Sequence, residues 1–332
     1  MPGLFDPIKI KGLSLKNRLV MPPMATGMAT EDGEVTDRHI THYVTRAKGG
    51  VGLIIIEHTY VSEDGKGHKG QLGLYDDRLI PGLKRLVEAI HAGGTKVVIQ
   101  LTHAGAVASR NTTGKQPAGP SDVMLPKCSE VPRPFSIPEI KALVIKFGEA
   151  AHRAVEAGVD SVELHGAHGF LLCQFLSPYA NRRTDEYGGS LAGRLCFPTE
   201  VIKEVKTKLG KNRPLFYRFG ADDMLEGGLT FQEAKQAAQQ LELGGVDVFD
   251  VSGGIGGDGQ KNHTEQGYYV PLAAGIKEVV QVPVIGVGHV TEAEYADQII
   301  REQKVDMVAV GRLLLSNPDF PRQAAEKLGI EL

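Results

Sequence analysis

At 332 residues the chain has room for one large single-core domain or for two ordinary ones. Its 37 basic and 40 acidic residues leave a formal charge of -3 with no run of like charge, so nucleic acid and membrane surfaces find no electrostatic footprint. Three cysteines, Cys128, Cys173 and Cys196, have neither close pairing nor CxxC spacing; this speaks against a disulfide scaffold or an iron–sulfur cluster and makes a reduced, cytoplasmic setting the expectation.

The opening MPGLFDPIKIKG lacks a basic segment followed by an apolar one. The longest apolar run, Val51 to Ile56, is far too short to cross a bilayer, so a soluble, unprocessed chain is expected. Residues 18 to 24, RLVMPPM, read as a short buried strand stopped by two prolines, and Asp37 to Lys48 as a helix stopped by Gly49-Gly50. Val51 to Val61 is a second strand with its polar residues at the C-terminal end. A helix from Arg78 to Ala92 leads to a third strand, Lys96 to His103, which also turns polar late. Residues 104 to 135, rich in Gly, Pro, Ser and Thr, carry no period and read as a long excursion over one end of the domain.

Ser136-Ile137-Pro138-Glu139 is a helix start with a capping serine, a glutamate three residues on and a proline in the first turn; the helix runs to Ala157-Gly158. Strand four begins at Val162 and ends in His165-Gly166-Ala167-His168-Gly169. A helix over Ala192 to Leu209, strand five (Pro214 to Ala221), a helix capped by Thr230 and Glu233, and strand six (Val246 to Gly253) follow. Then come a glycine-rich loop at 254 to 267, a helix over Val270 to Val280, strand seven (Val282 to Val287), a helix from Thr291, strand eight (Asp306 to Val310) and a C-terminal helix. Eight strands, each followed by a helix, predict a (β/α)8 TIM barrel spanning 1–332 as one domain. A doubly wound sheet would need an early GxGxxG and a halving of the chain, and neither is present.

Polar residues gather where barrel enzymes assemble their sites, at the C-terminal strand ends. Two neutral histidines three positions apart, His165 and His168, can each offer one N–H to a carbonyl oxygen that gains negative charge during a reaction. A plain strand terminus is the alternative; a metal would want further ligands close by, and none stands there. Arg218 brings a fixed positive charge into the mouth, Gln100 offers a donor and an acceptor suited to a ring with alternating N–H and C=O, and Gly286, Gly288, Gly311 and Arg312 suit a phosphate. Together they describe a flavin mononucleotide (FMN) site.

Six landmarks carry a resemblance: Leu15-Lys16-Asn17-Arg18 leading into Pro22-Pro23-Met24, Arg46 to Leu53, Gln100 to Gly105, His165 to Gly169, Gln174 to Pro178, and Tyr187 to Ser190. On these the chain resembles the old yellow enzymes, the FMN-dependent ene-reductases, most closely their short single-domain members and the barrel domain of 2,4-dienoyl-CoA reductases. The resemblance implies that Pro23, Met24 and Ala25 line the flavin, that Gln100 and Arg218 contact its pyrimidine edge, and that Gly288, Gly311 and Arg312 hold its phosphate. His165 and His168 would bind the carbonyl of a small-molecule enone, with NADH or NADPH as reductant. His58 falls where the family usually has a small residue beside the flavin, as contact or as core histidine.

Three departures stand out. Phe170 occupies the place of the family's proton-donating tyrosine, which leaves water, His263 or Tyr268 as proton sources and puts Phe170, His263 and Tyr268 beside the substrate. Ala25 replaces a Thr or Cys that tunes the flavin, and the terminal GIEL lacks an arginine that some short members insert into a neighbour's site, so a homo-oligomer stays open. The cysteine cluster of the dienoyl-CoA reductases' additional domain has no counterpart in these residues. The rival readings are another FMN barrel chemistry (dehydrogenase, demethylase or oxidase) and a flavin-binding protein of low turnover.

Overall fold

Strands that are apolar on both faces are stable only in a sheet covered on both sides, which a barrel wrapped in helices provides. In the computed structural model, which describes residues 1–257 and 263–331, the chain does this. The barrel strands are β1 (Leu19–Met21), β2 (Leu53–Tyr60), β3 (Lys96–Thr102), β4 (Ser161–Gly166), β5 (Phe216–Gly220), β6 (Val248–Ser252), β7 (Val284–Gly286) and β8 (Met307–Ala309). All neighbours are parallel and the sheet closes on itself, Val308 of β8 pairing with Leu19 and Val20 of β1 pairing with Leu53. The helices of eight or more residues are α1 (Asp37–Lys48), α2 (Ile80–Ala92), α3 (Ile137–Glu156), α4 (Leu191–Leu209), α5 (Phe231–Gly244), α6 (Val270–Lys277), α7 (Ala293–Arg301) and α8 (Phe320–Lys327). The predicted (β/α)8 barrel is therefore the observed architecture, and a doubly wound sheet is not.

Local chemistry sets the boundaries. The Ser136 backbone N–H donates to Glu139 Oε2 at 2.8 Å at the start of α3, and Thr230 accepts from the Glu233 N–H at the start of α5. Pro22 and Pro23 cannot donate to a ladder, so β1 stops before them. β2 pairs regularly with β3 up to Ile56 and again from Thr59, with a register shift between them. Such a bulge re-aims the side chains it contains, here Glu57 and His58.

Two elements have no counterpart in the sequence reading. Ile8–Ile10 and Leu13–Leu15 form an antiparallel hairpin whose Ile10, Leu13 and Leu15 join Leu53, Val98, Phe216, Val248 and Ile285 in the inner core, closing the barrel bottom. Leu171–Leu176, directly after the histidine turn, is a short buried helix. The excursion at 104–135 lies against it: Ala106 and Leu125 pack with Cys173, Ala180 and Ile255, and Ala118–Gly119 pairs with Arg133–Pro134. Cys128, Cys173 and Cys196 are unpaired. Among the described residues no helix is long and apolar enough to cross a membrane.

Candidate active site

A cavity of about 540 Å³ opens at the C-terminal ends of the strands. It gathers Pro23, Met24, Ala25, His58, Gln100, His165, His168, Phe170, Arg218, Tyr268, Gly288, Gly311 and Arg312, so thirteen of the fifteen sequence-predicted site residues line one space. Gly286, where a Cβ would meet Val305 and Val270, lies outside the lining. His263 is the other exception. It stacks on Tyr268 with ring centroids 5.3 Å apart and does not reach the lining; the neighbouring loop residues 258–262, predicted glycine-rich, lie outside the described residues.

The turn after β1 is tied down from behind. The Thr26 backbone N–H donates to Glu57 Oε2 at 2.8 Å and the Thr26 hydroxyl to Oε1 at 2.6 Å, with Glu57 wholly buried against His39 and Tyr43. That grip fixes Met24 and Ala25 as one wall.

Beneath the cavity the polar residues form a buried cluster. Gln100 Nε2 donates to Glu163 Oε1 at 2.8 Å, which leaves the amide oxygen of Gln100 as its remaining polar atom, and Arg218 Nη1 donates to Asp250 Oδ2 at 2.5 Å. Burial, then the Asp250 charge, pushes the Glu163 carboxyl well above the usual carboxylate range; burial raises Asp250 too, with Arg218 opposing. One guanidinium cannot neutralise two buried carboxylates, so Asp250 keeps the charge and Glu163 holds a proton. Arg218 Nε is buried without a hydrogen-bond partner.

At the opening, His168 sits at φ +58°, a left-handed conformation rare for a non-glycine residue and typical of functional turns. Its Nε2 lies 2.8 Å from Ser252 Oγ at the end of β6. His165 is buried at the end of β4, its ring 5.2 Å from that of His168, and its Nδ1 has no partner. Burial, reinforced by the neighbouring His168, His58, Arg218 and Lys127, holds its pKa well below the ordinary histidine value, so His165 is neutral. Phe170 stacks on His165 with centroids 4.4 Å apart.

The lining also includes His68, Lys127, Ser252 and Tyr269. The sequence reading gave none of them a role. A signal existed for His68, which follows the alternating glycines Gly65 and Gly67 in the loop after β2; Lys127, inside the unpatterned 104–135 excursion, had none. His103, the expected end of the third strand, falls one residue beyond β3; its Nδ1 accepts from the Gly105 N–H, its ring faces Gly65, and it does not line the cavity.

The residues present fit FMN. An unpartnered buried guanidinium nitrogen at Arg218 stands ready for a ring acceptor, and Gln100 presents an amide oxygen for a ring N–H. At the far end a Cβ on Gly311 would come within 2.9 Å of Met24 Sδ. One on Gly288, at φ +124°, would come within 2.8 Å of the Tyr269 backbone nitrogen, so the turn at Gly288 is built for bare backbone, whereas the flexible Met24 side chain could yield at Gly311; Arg312 lines the same end.

Comparison with known proteins agrees with this geometry. The model of the NADH:flavin oxidoreductase / NADH oxidase family matches residues 3–331. NADH oxidase of Thermoanaerobacter brockii is 46% identical over an alignment of 331 residues, and the match covers 98% of this chain and 51% of that protein, so the chain spans about half the length of this curated relative. The structure of morphinone reductase in complex with tetrahydroNAD superposes with a TM-score of 0.85 at 30% identity, over 100% of this chain and 92% of that one. The old yellow enzyme homologue from Zymomonas mobilis gives 0.87 at 28% identity, over 99% and 94%. With barrel, cavity and sequence in agreement, the chain belongs to the NADH:flavin oxidoreductase / NADH oxidase family, that of the old yellow enzymes, and FMN is its cofactor.

Proposed function

We propose that this chain, acting as one FMN-binding domain, reduces the activated C=C bond of α,β-unsaturated carbonyl compounds with NADH or NADPH as reductant. The observation that carries the reading is the pair of histidines at the mouth, one buried and neutral, the other fixed in a left-handed turn by Ser252.

In this reading Pro23, Met24 and Ala25 line one face of the cofactor, Gln100 and Arg218 hold the pyrimidine edge, and Gly288, Gly311 and Arg312 take the phosphate. Bound FMN supplies hydride transfer from its N5 to the substrate β-carbon. The protein supplies position and charge stabilisation. Where the Ser252 hydroxyl donates to His168 Nε2, the His168 proton is on Nδ1, so each histidine has one N–H to offer the substrate oxygen. Those donors strengthen as the oxygen gains enolate charge, and because both are fixed beforehand little reorganisation opposes the reaction. Phe170, stacked on His165, helps keep water from the reacting face.

The test is enone-dependent reoxidation of FMN-loaded, NADH-reduced protein with oxygen excluded. Changing His165→Ala together with His168→Ala is expected to leave yellow protein and to slow reoxidation on the order of a hundredfold, the scale for losing positioned donors. An unchanged rate would overturn the assignment. Phe170 favours one rival reading, a flavoprotein of low turnover for want of a proton donor. A large gain on Phe170→Tyr would support that rival.

A further inference from the structure

Adding hydride to a β-carbon leaves an electron pair at the α-carbon that must take a proton, and Phe170 has none to give. The cavity wall beside Phe170 holds a hydrogen-bonded pair that does. His58 Nε2 and His68 Nε2 are 3.1 Å apart, their rings meeting edge to face at 5.2 Å, and the His58 ring lies 5.3 Å from that of Phe170. Both histidines line the cavity, His58 from the bulge in β2 and His68 from the loop that follows; His68 is the more exposed of the two. Among the described residues no group of three or more His, Cys, Asp or Glu is arranged to hold a metal, so the short N–N separation belongs to a hydrogen bond.

Its polarity can be assigned. His68 Nδ1 lies 2.9 Å from the Lys69 carbonyl oxygen, which can only accept, so that nitrogen carries hydrogen. In neutral His68 the Nε2 is then the acceptor, and His58 Nε2–H donates to it. The pair is also clamped. Gln71, fully buried, donates to the His58 carbonyl at 3.1 Å while its Oε1 accepts from the Gly67 N–H at 2.7 Å, joining the bulge to the loop that carries His68.

From this geometry, and resting on the enone reading above, we infer that His58, held by its hydrogen bond to His68, is the acid that protonates the substrate α-carbon, the task Phe170 cannot perform. In its acid form His58 is protonated on both nitrogens, with Nε2–H donating to His68. His58 Nδ1–H gives its proton to the α-carbon, whose electron pair forms the new C–H bond; His58 is left neutral with Nε2–H still on His68, and water entering the open cavity returns a proton to Nδ1 once the product has left. The charged or titratable groups that share the cavity among the described residues are His165, His168, Lys127, Arg218, Tyr268, Tyr269, His289 and Arg312, with no carboxylate among them.

The experiment uses full-length FMN-loaded protein, reduced and kept anaerobic, with cyclohex-2-enone as probe and rates expressed per bound FMN. His58→Phe is expected to slow reoxidation on the order of a hundredfold and His68→Phe about tenfold, the range of general-acid effects. Phe170→Tyr in the His58→Phe background is expected to restore most of the loss, which a merely structural defect would not allow. Wild-type rates in both single variants, or the full loss reproduced by Tyr268→Phe alone, would overturn the assignment. Histidine ¹⁵N NMR gives a readout independent of turnover: protonated Nε2 on His58 and protonated Nδ1 on His68, with the His58 resonance shifting in His68→Phe; the opposite tautomers would refute the pairing. Wild-type protein inert towards the enone would instead end the enone reading, an outcome distinct from variants that match an active wild type.

Discussion

The bottom and the top of this barrel differ by a single two-residue step along the same strands. Val98, Phe216 and Val248 face the inner apolar layer that the N-terminal hairpin closes; two residues later, on the same side of each strand, stand Gln100, Arg218 and Asp250. The lower layer is stabilised by removing carbon from water, a contribution that does not depend on a ligand. The upper layer buries charge and hydrogen-bonding capacity, which costs stability wherever partners are missing. The unpartnered Arg218 Nε and His165 Nδ1, both on residues that line the cavity, mark where that cost is left for a bound molecule to offset. The fold is secured at one end so that the other can remain incompletely satisfied.

Substituting both layers on β5 gives the largest effects and the most direct way to break this division. Phe216→Ala should cost about 3–5 kcal/mol of unfolding free energy by urea denaturation, as large-to-small core changes do. Excess FMN should stabilise this variant as much as wild type. Arg218→Ala leaves Asp250 charged and alone in the interior, a defect also of about 3–5 kcal/mol, and should in addition abolish most of the stabilisation that excess FMN confers. Equal loss of FMN linkage in both variants would show that the layers are not separate.

The barrel and its upper layer were legible in the sequence because strand burial writes itself as apolar runs, and the step from apolar to polar at Gln100, His165 and Arg218 interrupts those runs at the strand ends. The hairpin was not legible. Residues 8–15 hold two strands of three residues each, too short for a period, and their apolar side chains are explained only by the barrel bottom they fill. His68 and the Glu57 clamp escaped for another reason: their partners, His58 in β2 for the one and Thr26, His39 and Tyr43 for the other, are distant in sequence, and no local pattern encodes such meetings. Phe170 was visible as a departure, whereas the His58–His68 contact beside it depends on a bulge that only the register reveals.

A smaller effect sharpens the comparison through pH. The folded state holds Glu163 protonated, its pKa raised above the ordinary value of 4.5, so its contribution is complete below that value and is lost as pH rises through the folded pKa. Glu163→Gln keeps a neutral group that can still accept from Gln100 Nε2, and should gain stability relative to wild type as pH rises from 4.5 towards the folded pKa of Glu163. The histidines pull the other way. Burial, then Arg46, lowers His42 to about 4, and burial lowers His165, so folding excludes protons that the unfolded chain takes up near 6.5; stability from these groups is present above that pH and lost as it falls towards 4. Because both proteins share this histidine background, it cancels in their difference, and a flat difference across the range would mean Glu163 is ionised in the fold.

The smallest expected effect lies at the rim, where one hydroxyl joins the two kinds of layer. Ser252 closes β6, two residues beyond Asp250, and its Oγ lies 2.8 Å from His168 Nε2. Ser252→Ala removes a partner from a ring on a strained turn without creating a charge or a large cavity, so stability should change by only about 1 kcal/mol. Catalysis should register more than stability does, since a His168 ring free to change tautomer spends part of its time offering a lone pair where an N–H is needed. Enone-dependent reoxidation should fall about five- to tenfold, a fraction of the loss expected for the double histidine variant. Ser252→Thr retains the hydroxyl and should recover most of the rate. A Ser252→Ala protein as fast as wild type would mean that the left-handed backbone at His168 alone fixes the ring.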